Sequence, residues 1–270
     1  MKYRIEENYF APKLMNINSK SDDYKKTHCI SYNKCNFNCK FCEFHLRNPI
    51  IYKNYSDEEF ENKVEDLIKK GKNFKFTGGE STLNPKLYEH IKIVKKKGGN
   101  IFLDTNGSMT NIVKKILDED LISVLGISIK GLDEKSAIFW SGCDNSRLCW
   151  DNVLKTIEYA SSKPNVTTIV TTVFKNEDNY DSLKKFAKII SRYQGVYLKI
   201  NNLMGQKHQS NEILRRVNTT NLIGWIAELL KENPKLKNKI IYVDDFSCVG
   251  TYENIKFYWF LCKKVVLYYK

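Results

Sequence analysis

The sequence predicts an α/β fold built on a parallel sheet. Segments rich in Val, Ile and Thr alternate with amphipathic segments at roughly 25- to 30-residue intervals. Six such strand–helix units follow one another, and strands joined through helices pair in parallel with right-handed crossovers. A partly closed barrel and a doubly wound open sheet both have this order, so the alternation alone does not choose between them.

The predicted elements follow from local signals. Short runs of apolar or β-branched residues predict strands at 28–33, 74–77, 101–105, 124–130, 166–174 and 196–200. Ser56 is a good N-cap for a helix that Gly71 ends, and Asn84 before Pro85 predicts the start of another that Gly98 and Gly99 end. Further apolar stripes predict helices at 111–120, 151–161, 181–192 and 221–231.

Composition narrows the class of protein. The 270 residues are 42% hydrophobic and 28% charged, as expected of a soluble globular chain, and we expect a cytoplasmic protein because no signal core or membrane span is visible. The eight cysteines then indicate metal or redox chemistry rather than disulfides. The net charge of +13 suits an anionic partner, but the lysines are scattered and are better explained as solvated helix faces.

Polar or metal-binding residues follow four consecutive predicted strands. Both candidate architectures place chemistry at the carboxyl ends of their strands, so we expect these residues to meet at one rim. They are the cysteines after the first strand, Gly78, Gly79 and Glu80 after the second, Asp104 and Asn106 at the end of the third, and Ser128 and Lys130 at the end of the fourth.

Three cysteines lie within eight residues, at Cys35, Cys39 and Cys42. Iron–sulfur cubanes are held by cysteine thiolates, ordinarily four, so three thiolates leave one iron open, as a catalytic metal site requires. The alternative is a zinc site with His45 as the fourth ligand. Zinc would not explain the polar residues on the other strands.

The spacing Cys-x3-Cys-x2-Cys after the first strand, with Gly-Gly-Glu after the second, resembles the radical S-adenosylmethionine (SAM) superfamily. The resemblance covers about residues 28–205 and is most specific in YNKCNFNCKFC, FTGGESTLNP and LDTNG. The core is most similar to the activating enzymes of glycyl-radical proteins. The resemblance implies a partial (β/α)6 TIM-like barrel over 28–205, after an N-terminal extension at 1–27 and before a C-terminal extension at 206–270.

The resemblance also implies the chemistry. Cys35, Cys39 and Cys42 would hold a [4Fe-4S] cluster that reductively cleaves SAM to a 5′-deoxyadenosyl radical, which abstracts hydrogen from a substrate. A low-potential donor such as flavodoxin or ferredoxin would supply the electron.

The same resemblance assigns contacts to SAM. Phe41 would lie against the adenine. Gly78 and Gly79 would let the backbone approach closely, and main-chain groups beside Glu80 would receive the methionine amino group. The residues expected to face the ribose or the carboxylate are Asp104, Asn106, Ser128 and Lys130. The glycyl-radical activators carry an aspartate at the position of Ser128 that helps to bind a monovalent cation, so the serine puts that cation site in doubt.

Five cysteines remain. Cys29 is expected to be a buried apolar residue within the first strand. Cys143, Cys149, Cys248 and Cys262 are candidate ligands of an auxiliary [4Fe-4S] cluster, the last two flanking a predicted hairpin, with unliganded thiols as the alternative. Cys248 or Cys262 is also a candidate hydrogen donor to a substrate radical.

The sequence indicates how the radical is formed more clearly than which substrate loses hydrogen to it. We expect a peptide or protein substrate, either a ribosomal peptide to be modified or a glycyl-radical enzyme to be activated, and no membrane partner. The alternative is nucleotide or tRNA modification by the same chemistry, which the positive charge would suit. A non-catalytic zinc-binding module is a distant third hypothesis.

Overall fold

Nine strands form one sheet in which the spatial order of the strands is their order in the chain. The computed structural model describes residues 3–9, 27–42, 52–175, 178–203, 214–237, 239–244 and 266–269. The strands are β1 Tyr3–Tyr9, β2 Thr27–Tyr32, β3 Asn73–Gly78, β4 Asn100–Thr105, β5 Val124–Ser128, β6 Thr167–Phe174, β7 Val196–Asn202, β8 Ile240–Asp244 and β9 Val266–Tyr269. The pair β1–β2 is antiparallel and every later neighbouring pair is parallel.

Helices lie between successive parallel strands from β2 to β8, as parallel pairing of neighbouring strands requires. They are α1 Asp57–Lys70, α2 Leu87–Lys96, α3 Thr110–Asp118, α4 Glu134–Ser141, α5 Asn152–Ser161, α6 Tyr180–Ile190 and α7 Thr219–Glu232. A 3-10 turn spans Ser81–Leu83, another spans Pro234–Leu236, and a π-helical turn at Arg147–Asp151 precedes α5. No helix within the described ranges is both long and apolar enough to cross a membrane.

Helix α1 shows why these segments fold locally. The Ser56 side chain accepts from the Glu59 N–H, and the Glu59 carboxylate accepts from the Ser56 N–H at 2.6 Å, which forms a capping box. The apolar residues Phe60, Val64 and Leu67 recur at helical spacing and are fully buried.

The two faces of the sheet carry separate apolar clusters. In β4 and β5, Leu103 and Leu125 pack into the large cluster beneath the helices, whereas Phe102 and Val124 pack with Ile169 on the opposite face. This period-two alternation places the second cluster in the interior that the strands surround. The polar residues lie beyond it, at the carboxyl ends.

The predicted parallel α/β sheet is confirmed, and several details differ. Strands β1, β8 and β9 extend the sheet beyond the six predicted strands, and β8 and β9 pair in parallel with each other. The predicted hairpin near 251–262 lies outside the described residues. Helix α4 lies in a segment for which the sequence predicted no element. Asn84 caps a turn before α2, accepting from the Lys86 N–H at 2.9 Å, and the helix itself begins at Leu87.

Candidate functional site

An open cavity of roughly 590 Å³ lies at the carboxyl ends of β2 to β5. It collects the predicted cysteines together with the polar residues of the three following strands, as the parallel topology requires. The lining residues are Cys35, Phe37, Cys39, Cys42, Thr77, Gly78, Gly79, Glu80, Asp104, Thr105, Asn106, Ser128 and Lys130.

The cysteine loop, residues 33–42, follows β2 and is anchored on one side by the end of α4. The Asn38 N–H donates to Ser141 O at 2.8 Å, and the Lys40 N–H donates to Trp140 O at 3.1 Å. Gly142 ends α4 with a φ of +58°, and a Cβ there would lie 2.5 Å from Asn38 O. The helix end and the loop are therefore in backbone contact.

The Gly-Gly-Glu turn anchors the other side of the same loop. The Gly79 N–H donates to Tyr32 O at 2.8 Å, and the Glu80 N–H donates to Lys34 O at 2.6 Å. Gly78 has a φ of +122°, and a Cβ on Gly79 would lie 2.3 Å from Lys34 O. Only residues without side chains allow this approach.

The Glu80 carboxylate is buried and joins the ends of β3 and β4. Its Oε1 accepts from Thr105 Oγ1 at 2.6 Å and from the Thr82 side chain and N–H, while Oε2 accepts from the Asn106 N–H at 2.6 Å. Four donors satisfy a buried carboxylate. The Glu80 side chain therefore has a structural role, because it links the segment after β3 to the end of β4.

Asn106 links the loop after β4 to the cysteine loop. Its Nδ2 donates to Asn36 Oδ1 and its Oδ1 accepts from the Ser108 N–H, both at 2.9 Å, and Asn36 Nδ2 donates to Ser108 Oγ at 2.9 Å. We predicted that Asn106 faces the ribose or carboxylate of SAM. It lines the cavity, but these bonds already engage both ends of its amide.

Asp104 carries an ion-pair partner from the neighbouring strand. Lys75 Nζ lies 2.7 Å from Asp104 Oδ2, and Thr77 Oγ1 donates to the same oxygen at 3.4 Å. The Lys75 ammonium also lies 4.9 Å from the centre of the Phe102 ring. A lysine thus supplies positive charge beside the carboxylate of Asp104.

Burial favours the protonated thiol at Cys35 and Cys39 in the metal-free protein. It raises the pKa of Cys35 to about 11 and that of Cys39 above its ordinary value. The Lys130 ammonium lowers both pKa values. A cation bound at the sulfurs would stabilise the thiolates much more strongly.

The donor set fits a cluster better than a single metal ion. No three His, Cys, Asp or Glu side chains within the described ranges converge on a point that could hold one ion, as zinc requires. The thiolates of an iron–sulfur cubane bind different irons around an open cavity. His45, the alternative zinc ligand, lies outside the described residues.

Phe41 is placed differently from the other predicted contacts. Its ring is buried against Leu203 and Leu214 and does not line the cavity. Lys175 Nζ lies 4.8 Å from the centre of this ring. The contact with adenine stays a prediction.

Two of the remaining cysteines pack beneath the cysteine loop. Cys143 and Cys149 are buried with Phe37, and Cys35 and Cys39 pack against this cluster. Cys143 follows the end of α4, and Cys149 lies in the π-helical turn. Cys248 and Cys262 lie outside the described residues.

Cys29 is buried within β2, as predicted, with its Sγ 3.4 Å from Ser31 Oγ. Other residues were missed because their partners are remote in sequence. They are Phe37, Thr77 and Thr105 in the cavity lining, Asn36 and Lys75, which contact the lining residues Asn106 and Asp104, and the pair Trp140 and Lys175.

The chain matches the family model described as the radical SAM superfamily over residues 29–190. A protein of Methanocaldococcus jannaschii named as a glycyl-radical enzyme activating enzyme is 30% identical over 191 residues, covering 67% of this chain and 71% of that protein. The tRNA 4-demethylwyosine synthase of the same organism is 26% identical over 209 residues, covering 73% and 61%.

Solved structures share the fold. Methylornithine synthase matches with a TM-score of 0.62 at 16% identity, covering 89% of this chain and 70% of that one. SuiB of Streptococcus suis, bound to its precursor peptide SuiA, matches with a TM-score of 0.60 at 14% identity, covering 78% of this chain and 47% of SuiB.

These comparisons confirm the predicted partial TIM barrel and exclude the non-catalytic zinc module. The family implies SAM and a [4Fe-4S] cluster. The chain belongs to the radical SAM superfamily, and it is a radical SAM enzyme.

Proposed function

We propose that Cys35, Cys39 and Cys42 hold the [4Fe-4S] cluster and that the enzyme abstracts hydrogen from a polypeptide. The carrying observation is that the three cysteines share one cavity with the Gly-Gly-Glu turn and with the ends of β4 and β5. When bound, the cluster would pass one electron to SAM and release methionine and a 5′-deoxyadenosyl radical, which takes a hydrogen atom from the substrate.

The residues of this chain position the reaction. The two backbone anchors, to α4 and to the Gly-Gly-Glu turn, hold the cysteine loop against the strand ends. Backbone groups beside Glu80 would bind the methionine amino group of SAM, and Asp104, Ser128 and Lys130 would face its ribose or carboxylate. The interior cluster around Phe102, beyond the cavity, keeps water from the radical.

Support for a polypeptide substrate comes from the relatives. One is named as an activating enzyme of glycyl-radical enzymes, and SuiB was solved with a precursor peptide bound. The likeness to SuiB is one of fold, so it makes a peptide compatible with this barrel. The activating enzyme is also similar in sequence, at 30% identity over 67% of this chain, whereas SuiB is 14% identical.

The second candidate is tRNA modification. The tRNA 4-demethylwyosine synthase is 26% identical, and the net charge of +13 suits a polyanion. Both candidates use the same cavity and the same cosubstrate. They differ in the molecule that loses hydrogen.

Deuterium transfer separates the candidates. A culture of the source organism is grown in deuterated medium, and its extract is divided into polypeptide, RNA and small-molecule fractions. Each fraction is incubated with reconstituted enzyme, SAM and dithionite, and the 5′-deoxyadenosine is analysed by mass spectrometry. We expect deuterium from the polypeptide fraction, with protease treatment abolishing the transfer. Deuterium from the RNA fraction alone would overturn the proposal.

The proposed function does not depend on an auxiliary [4Fe-4S] cluster, which is tested separately. Cys143 and Cys149 are buried close together, and Cys248 and Cys262 would have to approach them. Iron counting on a variant with Cys35, Cys39 and Cys42 all changed to alanine tests it. Residual iron supports an auxiliary cluster, and its loss would contradict one.

A further inference from the structure

A second cavity lies beside the cysteine-lined cavity, and Lys130 lines both. It is open to solvent and spans roughly 490 Å³ at the carboxyl ends of β5 and β6, beside α4 and the start of α6. Its charged and aromatic lining includes Lys130, Asp133, Trp140, Lys175, Asp178 and Lys185. Of these residues, the proposed radical generation uses Lys130 alone, from the side of the cysteine-lined cavity.

Lys175 is the buried charge in its wall. The side chain is only 4% exposed, and its Nζ donates to Val173 O at 3.0 Å. The Asp178 carboxylate is 3.9 Å away, beyond hydrogen-bonding distance, and the Trp140 ring centre is at 4.4 Å. An ammonium has three donors, so two of them lack an acceptor among the described residues. Such a group gains strongly from an added acceptor.

The two acids of the cavity are already engaged. Asp178 Oδ2 accepts from the Lys175 backbone N–H at 3.0 Å, and Asp133 Oδ1 accepts from the Ser136 N–H at 2.7 Å as the N-cap of α4. Within the described part of the chain, Lys130 and Lys185 have no carboxylate in ion-pair contact. Three lysines, one of them shared with the cysteine-lined cavity, stand against two engaged carboxylates and give the lining a net positive charge.

We propose that this cavity binds a carboxylate of the polypeptide substrate, with the Lys175 ammonium as its principal donor. The inference rests on the proposed polypeptide substrate and adds how one residue of it is held. A carboxylate supplies the acceptors that Lys175 lacks, and the Trp140 ring beside it packs against the adjoining methylene groups. The carboxylate comes from an acidic side chain or from the carboxyl terminus.

Because Lys130 lines both cavities, a substrate residue bound at Lys175 would lie near the site where the radical forms. The two cavities adjoin each other, and a residue anchored at Lys175 would have its neighbours close to the cysteine-lined cavity. Holding a reactant in place in this way converts binding energy into orientation. Lys175 is thus a substrate-binding residue in this proposal.

Blocked tripeptides test the proposal on reconstituted enzyme with SAM, by ligand-observed NMR. The probes are Ac-Gly-Glu-Gly-NH2, Ac-Gly-Gly-Gly-OH and the neutral Ac-Gly-Gln-Gly-NH2. We expect at least one carboxylate peptide to bind and the neutral peptide to bind at least tenfold more weakly. Preference for the first probe assigns an acidic side chain, and preference for the second assigns the carboxyl terminus.

Variants of matched iron content locate the site. Lys175→Met should weaken the favoured peptide about 10- to 100-fold, the value of a hydrogen bond to a charged group, and Lys175→Arg should weaken it less. Lys184→Met, at an exposed lysine of α6, should leave binding unchanged. Equal binding of the neutral peptide, unchanged binding by Lys175→Met, or tighter binding of inorganic phosphate would each overturn the proposal.

The two proposals fail separately. If no carboxylate peptide binds, while deuterium still passes from the polypeptide fraction to 5′-deoxyadenosine, the carboxylate pocket is wrong and the substrate class stands. If deuterium comes only from RNA, the polypeptide proposal fails together with its carboxylate.

Discussion

A single methyl group at Gly79 should displace the cysteine loop. The Cβ of a Gly79→Ala variant would lie 2.3 Å from Lys34 O and 3.1 Å from Cys35 N, and both are backbone atoms. Ordinary contact begins at 3.4 Å, so the loop must withdraw by about 1 Å. That movement breaks the bond between the Glu80 N–H and Lys34 O, now 2.6 Å.

The magnitude follows from the two effects. Overpacking costs typically 1–3 kcal/mol, and a lost hydrogen bond costs about 1 kcal/mol more. We therefore expect the free energy of unfolding of the metal-free protein to fall by about 2–4 kcal/mol in a denaturant titration. We also expect iron content after anaerobic reconstitution to fall to less than half, because Cys35 moves with the loop.

Two other glycines serve as matched controls. Gly224 in α7 has open space around its Cβ position, so Gly224→Ala should stabilise the protein by about 0.5–1 kcal/mol. Gly98 also has open space but a φ of +82°, so Gly98→Ala should cost about 1 kcal/mol through strain while iron stays complete. A Gly79→Ala protein with wild-type stability and full iron would refute this reasoning.

Three further changes test other contacts of the site and core. Glu80→Gln places an amide against a donor such as the Asn106 N–H, so we expect about 1–3 kcal/mol less stability by denaturant titration; a neutral effect would mean that the Glu80 link is unimportant. Gly142→Ala strains a left-handed residue and meets Asn38 O at 2.5 Å, so iron content should fall, whereas full iron would show that the α4 anchor is dispensable. Burial lowers the pKa of His90 to about 4. Since the unfolded chain binds this proton below about pH 6.5, stability should be full above that pH and fall by up to about 3 kcal/mol as the pH drops toward 4. A His90→Gln variant should lose most of that slope, and an unchanged slope would contradict the assignment.

The rim of the barrel was predictable because parallel topology converts chain order into position. Glu80, Asp104 and Ser128 each follow a recognisable strand, and parallel strands bring their carboxyl ends to one edge. Helix α1 was predictable for the same local reason, since the Ser56 cap and its apolar stripe are visible in the sequence.

Helix α4 was not predictable from periodicity. Only Ala137 and Ser141 of its residues are buried, and Phe139 is 49% exposed, so no apolar stripe at helical spacing marks it. Its role is fixed by tertiary contact with the cysteine loop. Local signals do not contain that contact.

The sequence also did not predict which side chains contact each other across neighbouring strands. The hydrogen-bond partners of Glu80 and Asn106 lie about 25 and 70 residues away in the chain, respectively, so the sequence did not reveal them. Lys75 and Lys175 carry no motif, and their importance comes from burial beside Asp104 and Trp140. A single sequence without its fold does not show such pairs.

The most direct test of the central claim is electron paramagnetic resonance of the reduced, reconstituted enzyme with and without SAM. If Cys35, Cys39 and Cys42 leave one iron free, SAM binds that iron and the cluster signal changes when SAM is added. We predict this change in the wild type and in Cys29→Ala, a buried cysteine outside the loop, and loss of the signal in Cys39→Ala. A cluster signal that SAM leaves unchanged, or that persists unaltered in Cys39→Ala, would contradict the account.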